Sequence, residues 1–192
     1  MGKLVVTEFV TLDGVFEDPG GAEGLAAGGW AFKFERGEEG NAFKVEELMA
    51  ADAQLLGRKT YEGFAKAWPA MDGDDFGKKM NSMPKIVVSK TLVEPTWTNT
   101  TVLDGDLGAG VAALKQQYEN ILVAGSGTLV RGLLDLGLVD ELRLMVYPTV
   151  LGSGRQLFEG VAQPQGFELA SVERGGDCSL LVLANAGSGD AQ

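Results

Sequence analysis

The sequence has 192 residues and a formal net charge of −11, with 45% hydrophobic and 22% charged residues, which is ordinary for one globular domain with a substantial core. The negative charge argues against nucleic acid and anionic membranes as partners, and neither a bilayer-spanning apolar run nor a signal peptide is evident. One cysteine and no histidine exclude an internal disulfide, histidine-dependent catalysis and histidine-ligated metals, so we expect a cytoplasmic protein without a metal.

The first third of the chain predicts a strand, a long loop and a helix. Residues 3–12 are β-branched and apolar and predict a central strand, which ends at the turn signal Asp13-Gly14. Residues 17–29 hold a proline and several glycines and predict a loop of the length that often lines a binding site. Aromatic residues that alternate after this loop are expected to fold back onto the body, namely Trp30, Phe32 and Phe34. Residues 38–50 predict a helix with the core contacts Phe43, Leu48 and Met49.

The middle of the chain alternates short strands with helices. In order, the predicted elements are a strand at 53–56, helices at 59–67 and 74–80, strands at 85–89 and 98–103, a helix from 107, a strand at 121–124 and a helix at 128–138. Trp68-Pro69 stops the helix at 59–67, Asp106 caps the helix from 107, and Gly137 ends the last helix. The helix from 107 buries an apolar face made of Leu107, Val111, Leu114 and Tyr118.

After Asp140 the pattern consists of strands alone, at 141–150, 166–172 and 178–184. The last two form an antiparallel ribbon around the turn Gly175-Gly176. This order predicts an α/β fold with three layers, in which a mainly parallel, doubly wound sheet carries antiparallel C-terminal strands. We expect one domain at residues 1–185 and a flexible tail at 186–192. Because an exposed antiparallel edge invites pairing, we also expect a homodimer.

The first candidate ligand site is Gly57-Arg58-Lys59-Thr60, where a strand stops at glycine and a helix starts. Cations at a helix N-terminus oppose the helix dipole, so two adjacent ones make more sense if an anion binds there. The surrounding stretch 57–90 holds seven Lys/Arg against four Asp/Glu in an otherwise acidic chain. An arginine also matches a ribose 2′-phosphate, which favours NADP over NAD. The alternative is a helix start with solvent-facing charges.

The second candidate is Gly125-Ser126-Gly127, followed by Thr128 and Leu129 at the next helix start. Unpaired backbone N–H groups converge at such a turn and suit a phosphate, although many α/β proteins use glycines there merely to turn the chain. The third candidate, Ser89-Lys90, lies just beyond a strand end, where ligands of open α/β sheets bind. No Gly-x-Gly-x-x-Gly motif follows the first strand and no Walker motif occurs, so an ordinary Rossmann dehydrogenase or P-loop NTPase is not expected.

The three segments, in this order, resemble the cofactor segments of dihydrofolate-reductase-like proteins. With Thr11-Leu12-Asp13-Gly14 and residues 148–158, the chain resembles the branch related to the reductase domain of the bifunctional riboflavin-biosynthesis deaminase–reductase. The resemblance covers residues 3–184 and implies the dihydrofolate-reductase-like form of the fold, with NADPH as cofactor.

Roles carried over by position follow the three segments. Arg58, Lys59 and Thr60 would meet the phosphates, and Ser89 and Lys90 the adenosine 2′-phosphate end. Residues 125–129 would wrap the pyrophosphate and approach the nicotinamide. The family often has Gly-Gly where Gly125-Ser126 stands, with a cis bond in dihydrofolate reductases. A cis bond before a residue other than proline costs about 2.5–4 kcal/mol, so this geometry is left open.

Asp13 is the catalytic candidate on the substrate side, since it stands where the first strand opens into the long loop. Its carboxylate could bind an amino-pyrimidine or pteridine ring, or help deliver a proton; alternatively, Asp13-Gly14 is only a turn. The resemblance implies an NADPH-dependent reductase of a small heterocycle, like 5-amino-6-(5-phosphoribosylamino)uracil reductase or dihydrofolate reductase. With one cysteine and no histidine, the chain is not expected to form the zinc site of a deaminase domain. The alternative is a non-catalytic nucleotide-binding or regulatory protein that retains the fold.

Overall fold

The computed structural model describes residues 1–187, so most of the predicted tail at 186–192 lies outside the described residues. Within this part, the elements are β1 (Lys3–Thr11), α1 (Gly37–Ala50), β2 (Ala53–Gly57), α2 (Arg58–Ala67), α3 (Asp75–Ser82), β3 (Lys85–Val88), β4 (Thr100–Leu103), α4 (Leu107–Gln117), β5 (Asn120–Ala124), α5 (Gly127–Asp135), β6 (Glu141–Tyr147), β7 (Phe167–Gly175) and β8 (Cys178–Asn185). No helix among these residues is both long and apolar enough to cross a membrane.

All strands join one sheet in the order β4-β3-β2-β5-β1-β6-β8-β7. The strands from β4 to β6 pair in parallel, and β8 and β7 add to them in antiparallel fashion. The predicted fold class is therefore confirmed.

Helices cover both faces of this sheet. Consecutive residues of a buried strand point to opposite sides, so each central strand packs against helices on both faces. Leu56 of β2 packs with Leu48 of α1, Tyr61 of α2 and Met80 of α3. Its neighbour Leu55 belongs to the opposite core, together with residues of α4 and α5, namely Val111, Val130 and Leu133. The central strands thus supply two cores, and their continuous apolar sequences follow from burial on both faces.

Several predicted details differ in the structure. Phe32 does not fold back onto the body, because a short 3₁₀ helix at Trp30–Lys33 buries Trp30 at 1% exposure and turns Phe32 outward at 81% exposure. The expected core contact Met49 is exposed, since only the Leu48 side of α1 meets the sheet. The predicted strand at 141–150 ends at Tyr147, directly before Pro148, which lacks an N–H group for the ladder.

Candidate functional site

The sheet has a topological switch point between β2 and β5. From β2 the chain continues to β3 on one side, whereas from β5 it crosses to β6 on the other side. The helices that follow these two strands, α2 and α5, lie on opposite faces. In open α/β sheets, ligands bind in the crevice at the carboxyl ends of such strands, and β2 and β5 end here in the two predicted glycine turns.

The structure brings these two turns into direct contact through Ser126. Its Oγ accepts a hydrogen bond from the Gly57 N–H at 2.9 Å and lies 2.6 Å from the Thr60 Oγ1. A Cβ on Gly57 would stand 2.5 Å from the Ser126 Oγ, and one on Gly125 would stand 3.0 Å from the Thr60 Oγ1. Both glycines are therefore required by the close approach of the two turns.

The turn after β5 is held in an uncommon backbone conformation. Gly125 and Ser126 are both left-handed, with φ of 66° and 72°, and this region is costly for a residue with a side chain. No peptide bond within residues 1–187 is cis, so the bond between Gly125 and Ser126 is trans. The two hydrogen bonds of Ser126 offset the cost of its conformation.

The N-termini of α2 and α5 retain free backbone N–H groups. Among the described helices, α3 and α4 are capped by the carboxylates of Asp74 and Asp106, each 2.8 Å from a backbone N–H of its own helix. No side chain caps α2 or α5, and neither helix has an acidic residue in its first turn. Ser126 precedes α5 but points its hydroxyl at β2 instead. The arrangement leaves two adjacent, electropositive helix ends at the switch point.

The predicted cations lie near these helix ends and are exposed. Arg58 forms an ion pair with Glu62 at 3.0 Å, and both side chains are nearly half exposed. A surface ion pair of this kind contributes little to stability, so Arg58 can leave Glu62 to bind an anion. Lys59 and Lys90 are also exposed. The arrangement leaves positive charge in reach of an anion at the α2 N-terminus.

The third predicted segment extends the same edge of the sheet. Val88 pairs with Gly57, so Ser89 stands one residue beyond the end of β2 on the neighbouring strand. Ser89 is buried, and its Oγ accepts hydrogen bonds from the N–H groups of Thr91 and Leu92 at 3.1 and 3.0 Å. Its hydroxyl therefore shapes the loop, and the exposed Lys90 is the group of this segment that is free to meet a ligand.

The end of the second segment is part of the core. Leu129 lies on the buried face of α5 and belongs to the core. A Cβ on Gly127 would stand 2.2 Å from the Phe16 ring. Thr128 is exposed. Residues 127 and 129 can thus meet a ligand through their backbone, whereas Thr128 also offers a hydroxyl.

Asp13 joins the end of β1 to the loop after β6. Its carboxylate accepts hydrogen bonds from the Thr11 hydroxyl at 2.5 Å and from the N–H groups of Leu151 and Gly152. These bonds, that of Thr11 foremost, hold the pKa of Asp13 below its usual range. Asp13 is therefore ionised at neutral pH and suited to bind N–H groups, and its catalytic role stays a prediction.

Glu8 is a buried carboxyl that the sequence reasoning did not single out. It lies on β1 with 6% exposure, and its Oε1 has no hydrogen-bond partner within the described chain. Burial raises the pKa of Glu8 to about 8, against a smaller opposing effect of Lys44. The sequence did contain one signal for this residue, namely a carboxylate within the otherwise mostly apolar strand predicted at residues 3–12. By contrast, the equally buried Glu47 is paired with Lys44 and bonded to the Thr7 hydroxyl.

Other features of the described residues do not belong to this site. No cluster of three His, Cys, Asp or Glu within residues 1–187 could hold a metal ion. A groove of about 680 Å³ lies between the 3₁₀ segment and the β7–β8 hairpin, lined in part by Phe34, Pro148 and Val172. It contains none of the predicted site residues. We place the candidate site at the glycine turns, because two helix N-termini without side-chain caps and three exposed cations lie there.

Comparisons with known proteins identify relatives over most of the chain. The family model for the RibD C-terminal domain matches residues 2–181. The uncharacterized protein YyaP of Bacillus subtilis (strain 168) is 32% identical over 120 residues, which cover 60% of this chain and 64% of that protein. The uncharacterized protein YwjB of the same organism is 27% identical over 185 residues, 96% of this chain and 98% of that protein. The crystal structure of a putative riboflavin biosynthesis protein from Shewanella sp. PV-4 superposes with a TM-score of 0.76 at 20% identity, covering 95% and 98% of the two chains.

Proposed function

The chain belongs to the RibD C-terminal domain family, and on this premise we propose that it is an NADPH-dependent reductase of a small heterocycle of the pyrimidine or pteridine type. Family membership supports the reductase-type role. The observation that carries the cofactor is the pair of uncapped helix N-termini at the switch point, joined by Ser126. When bound, NADPH would supply the hydride.

The residues at the glycine turns fit a dinucleotide. The starts of α2 and α5 are joined through Ser126, and uncapped N–H groups at helix starts suit a pyrophosphate. Gly57 and Gly125 lack the Cβ atoms that would separate the two turns, so the backbone at both stays accessible. Arg58 would hold the 2′-phosphate by its planar fork of donors, with Lys59 and Lys90 adding charge.

On the substrate side we propose Asp13 as an ionised acceptor for ring N–H or amino groups. Its lowered pKa supports binding rather than proton donation at neutral pH. The proton that a reduction needs must then come from another source, either a second residue or water.

We further propose a homodimer formed through β7 in the cytoplasm. β7 is the terminal strand of the sheet, and its Leu169 and Val172 are 59% and 58% exposed. An unprotected edge with apolar side chains favours pairing with a second copy.

Fluorescence titration with NADPH and NADH tests the cofactor assignment. We expect saturable NADPH binding at tens of micromolar or below, with Arg58→Ala weakening NADPH about tenfold or more and NADH little. Glu62→Gln serves as the matched control, because it removes the ion pair of Arg58 but keeps the guanidinium.

The outcomes separate the proposals. No saturable NADPH binding by the wild-type protein would remove the reductase assignment. Equal losses for both cofactors in Arg58→Ala would place the 2′-phosphate away from Arg58. NADPH binding without oxidation by any aminouracil or pteridine tested would favour the non-catalytic nucleotide-binding alternative.

A further inference from the structure

Phe16 packs against the first residue of α5. A Cβ on Gly127 would stand 2.2 Å from the Cζ of Phe16, and 2.7 and 3.0 Å from two other carbons of the same ring. Atoms in close-packed cores do not approach this closely, so the contact requires glycine at this position. Phe16 is 7% exposed and belongs to the same core as Leu129 and Val130 of α5. The ring therefore fixes where the N-terminus of α5, part of the candidate cofactor site, can lie.

The other side of Phe16 is bound to the loop after β6. The Phe16 N–H donates to the carbonyl oxygen of Arg155 at 3.2 Å. The neighbouring residue Val15 pairs with Gln156 in a single β-bridge. The Cζ of Arg155 lies 5.4 Å from the centre of the Phe16 ring, and its Nε donates to Glu17 at 2.7 Å. The Phe16 ring is thus held between the N-terminus of α5 and this loop.

The same loop holds the carboxylate of Asp13. The Gly152 N–H donates to this carboxylate at 2.8 Å, and the side-chain amide of Gln156 donates to the Asp13 carbonyl oxygen, also at 2.8 Å. A continuous chain of contacts therefore leads from Gly127 through Phe16 and the loop to Asp13. Because close-packed interiors are hardly compressible and transmit strain, a displacement at one end of this chain of contacts reaches the other end.

We propose that Phe16 is a positioning residue that transmits the position of the α5 N-terminus to Asp13. This assignment rests on the proposed function, in which NADPH occupies the glycine turns and the heterocycle meets Asp13. A ligand that fixes the α5 N-terminus then also fixes the carboxylate of Asp13, so the two ligands bind cooperatively. Because such coupling is reciprocal, each ligand raises the affinity for the other by the same factor, about fivefold or more. Phe16 acts through Gly127 and Asp13 and supplies no chemistry of its own.

Amide hydrogen exchange followed by NMR measures this coupling in the full chain without a heterocycle. We expect saturating NADPH to slow the exchange of the Gly152 N–H about fivefold or more in the wild type, and less than about twofold in Phe16→Leu. The reference is the Asn120 N–H, which also donates to an aspartate, Asp52, at 2.9 Å, but lies at the start of β5 on the opposite edge of the sheet. Its exchange should stay within about twofold. Phe32→Ala, which changes a phenylalanine that is 81% exposed, should respond like the wild type.

A second measurement needs no ligand. Gly127→Ala places a methyl group against the Phe16 ring, so it should speed the exchange of the Gly152 N–H about fivefold or more in the wild-type background. Leucine lacks the ring carbons that the new methyl group would meet. In the Phe16→Leu background, Gly127→Ala should therefore change this exchange rate by less than about twofold. If Gly127→Ala does not fold by itself, recovery of the fold in the double variant supports the contact, and a double variant that stays unfolded overturns it.

Each other result decides against one assignment. NADPH binding without slower exchange at Gly152, equal slowing in Phe16→Leu, or equal effects of Gly127→Ala in both backgrounds overturns the role of Phe16. If the wild type fails to bind NADPH while Gly127→Ala still acts on Gly152 only when Phe16 is present, the role of Phe16 is supported and the reductase function is overturned.

Discussion

Replacing Ser126 by alanine and by glycine separates its two structural contributions. Alanine removes the hydroxyl that joins the two turns, which leaves the Gly57 N–H and the Thr60 hydroxyl without this partner. The loss of such a partly buried hydrogen bond costs about 1–3 kcal/mol of unfolding free energy. Alanine also keeps the strain of the left-handed backbone, where φ is 72°.

Glycine loses the same hydrogen bonds but relieves that strain. The relief is worth about 1–2 kcal/mol, and the greater freedom of glycine in the unfolded chain takes back roughly 0.5–1 kcal/mol. We therefore expect Ser126→Ala to be the less stable variant, by about 1 kcal/mol relative to Ser126→Gly.

Urea unfolding followed by tryptophan fluorescence measures both differences, provided the slope with denaturant is unchanged. Thr60→Val is the matched control: combined with Ser126→Ala, it should cost about 0.5–1 kcal/mol less than the sum of the single changes, because both remove one contact. Equal stabilities of the alanine and glycine variants would refute the left-handed geometry at Ser126. A neutral Ser126→Ala would refute the joining of the two turns.

Further predictions concern pH dependence, a buried lysine and assembly. The pKa of Glu8 is 4.5 in the reference state and about 8 in the fold, so between these values the folded protein binds the extra proton and the wild-type unfolding free energy falls as pH rises. Relative to the wild type, the unfolding free energy of Glu8→Gln should therefore increase by at most about 1.4 kcal/mol per pH unit in this window. A constant difference between the two proteins in urea unfolding from pH 5 to 8 would contradict this prediction. Lys85 is fully buried, donates hydrogen bonds to three carbonyl oxygens and has its pKa lowered from 10.5 to about 8. Between these values the unfolded chain holds the extra proton, so the wild-type unfolding free energy should rise as pH rises. Lys85→Met should lower the unfolding free energy at neutral pH by about 2–4 kcal/mol and should lack this rise, which thermal melts at several pH values would show. Because the pKa of Asp13 is lowered in the fold, its carboxylate should stabilise the protein above the reference pKa of 3.8 and lose this contribution as pH falls through the folded pKa. Asp13→Asn should therefore reduce the fall in melting temperature at acid pH. An unchanged fall would mean that the bonds of Asp13 to the loop after β6 do not form in solution. Leu169→Lys on β7 should shift the protein from dimer to monomer in size-exclusion chromatography with light scattering, while a wild-type monomer would remove the homodimer proposal.

The sequence by itself determined the order and type of the elements and the place of the glycine turns. Apolar runs, helical spacing and Gly or Pro punctuation are local signals, because they reflect the backbone preferences of a few neighbouring residues. They were sufficient for the α/β class and for the cap at Asp106. Local signals were weaker at element ends, as the strand that stops at Tyr147 shows. The prediction that Phe32 folds back onto the body was wrong, because the direction of its side chain depends on a 3₁₀ turn.

Only the tertiary structure decided which of these turns meet. Insertion of β5 between β2 and β1 brings the Gly57 N–H to 2.9 Å from the Ser126 Oγ, across 69 positions of sequence. The same packing gives Asp13 its partners in the loop after β6 and leaves Glu8 buried without a partner. Contacts between distant segments leave no periodicity in the sequence, and the pKa of a carboxyl depends on what surrounds it in space. The opposite pKa shifts of Glu8 and Asp13 therefore came from the fold alone.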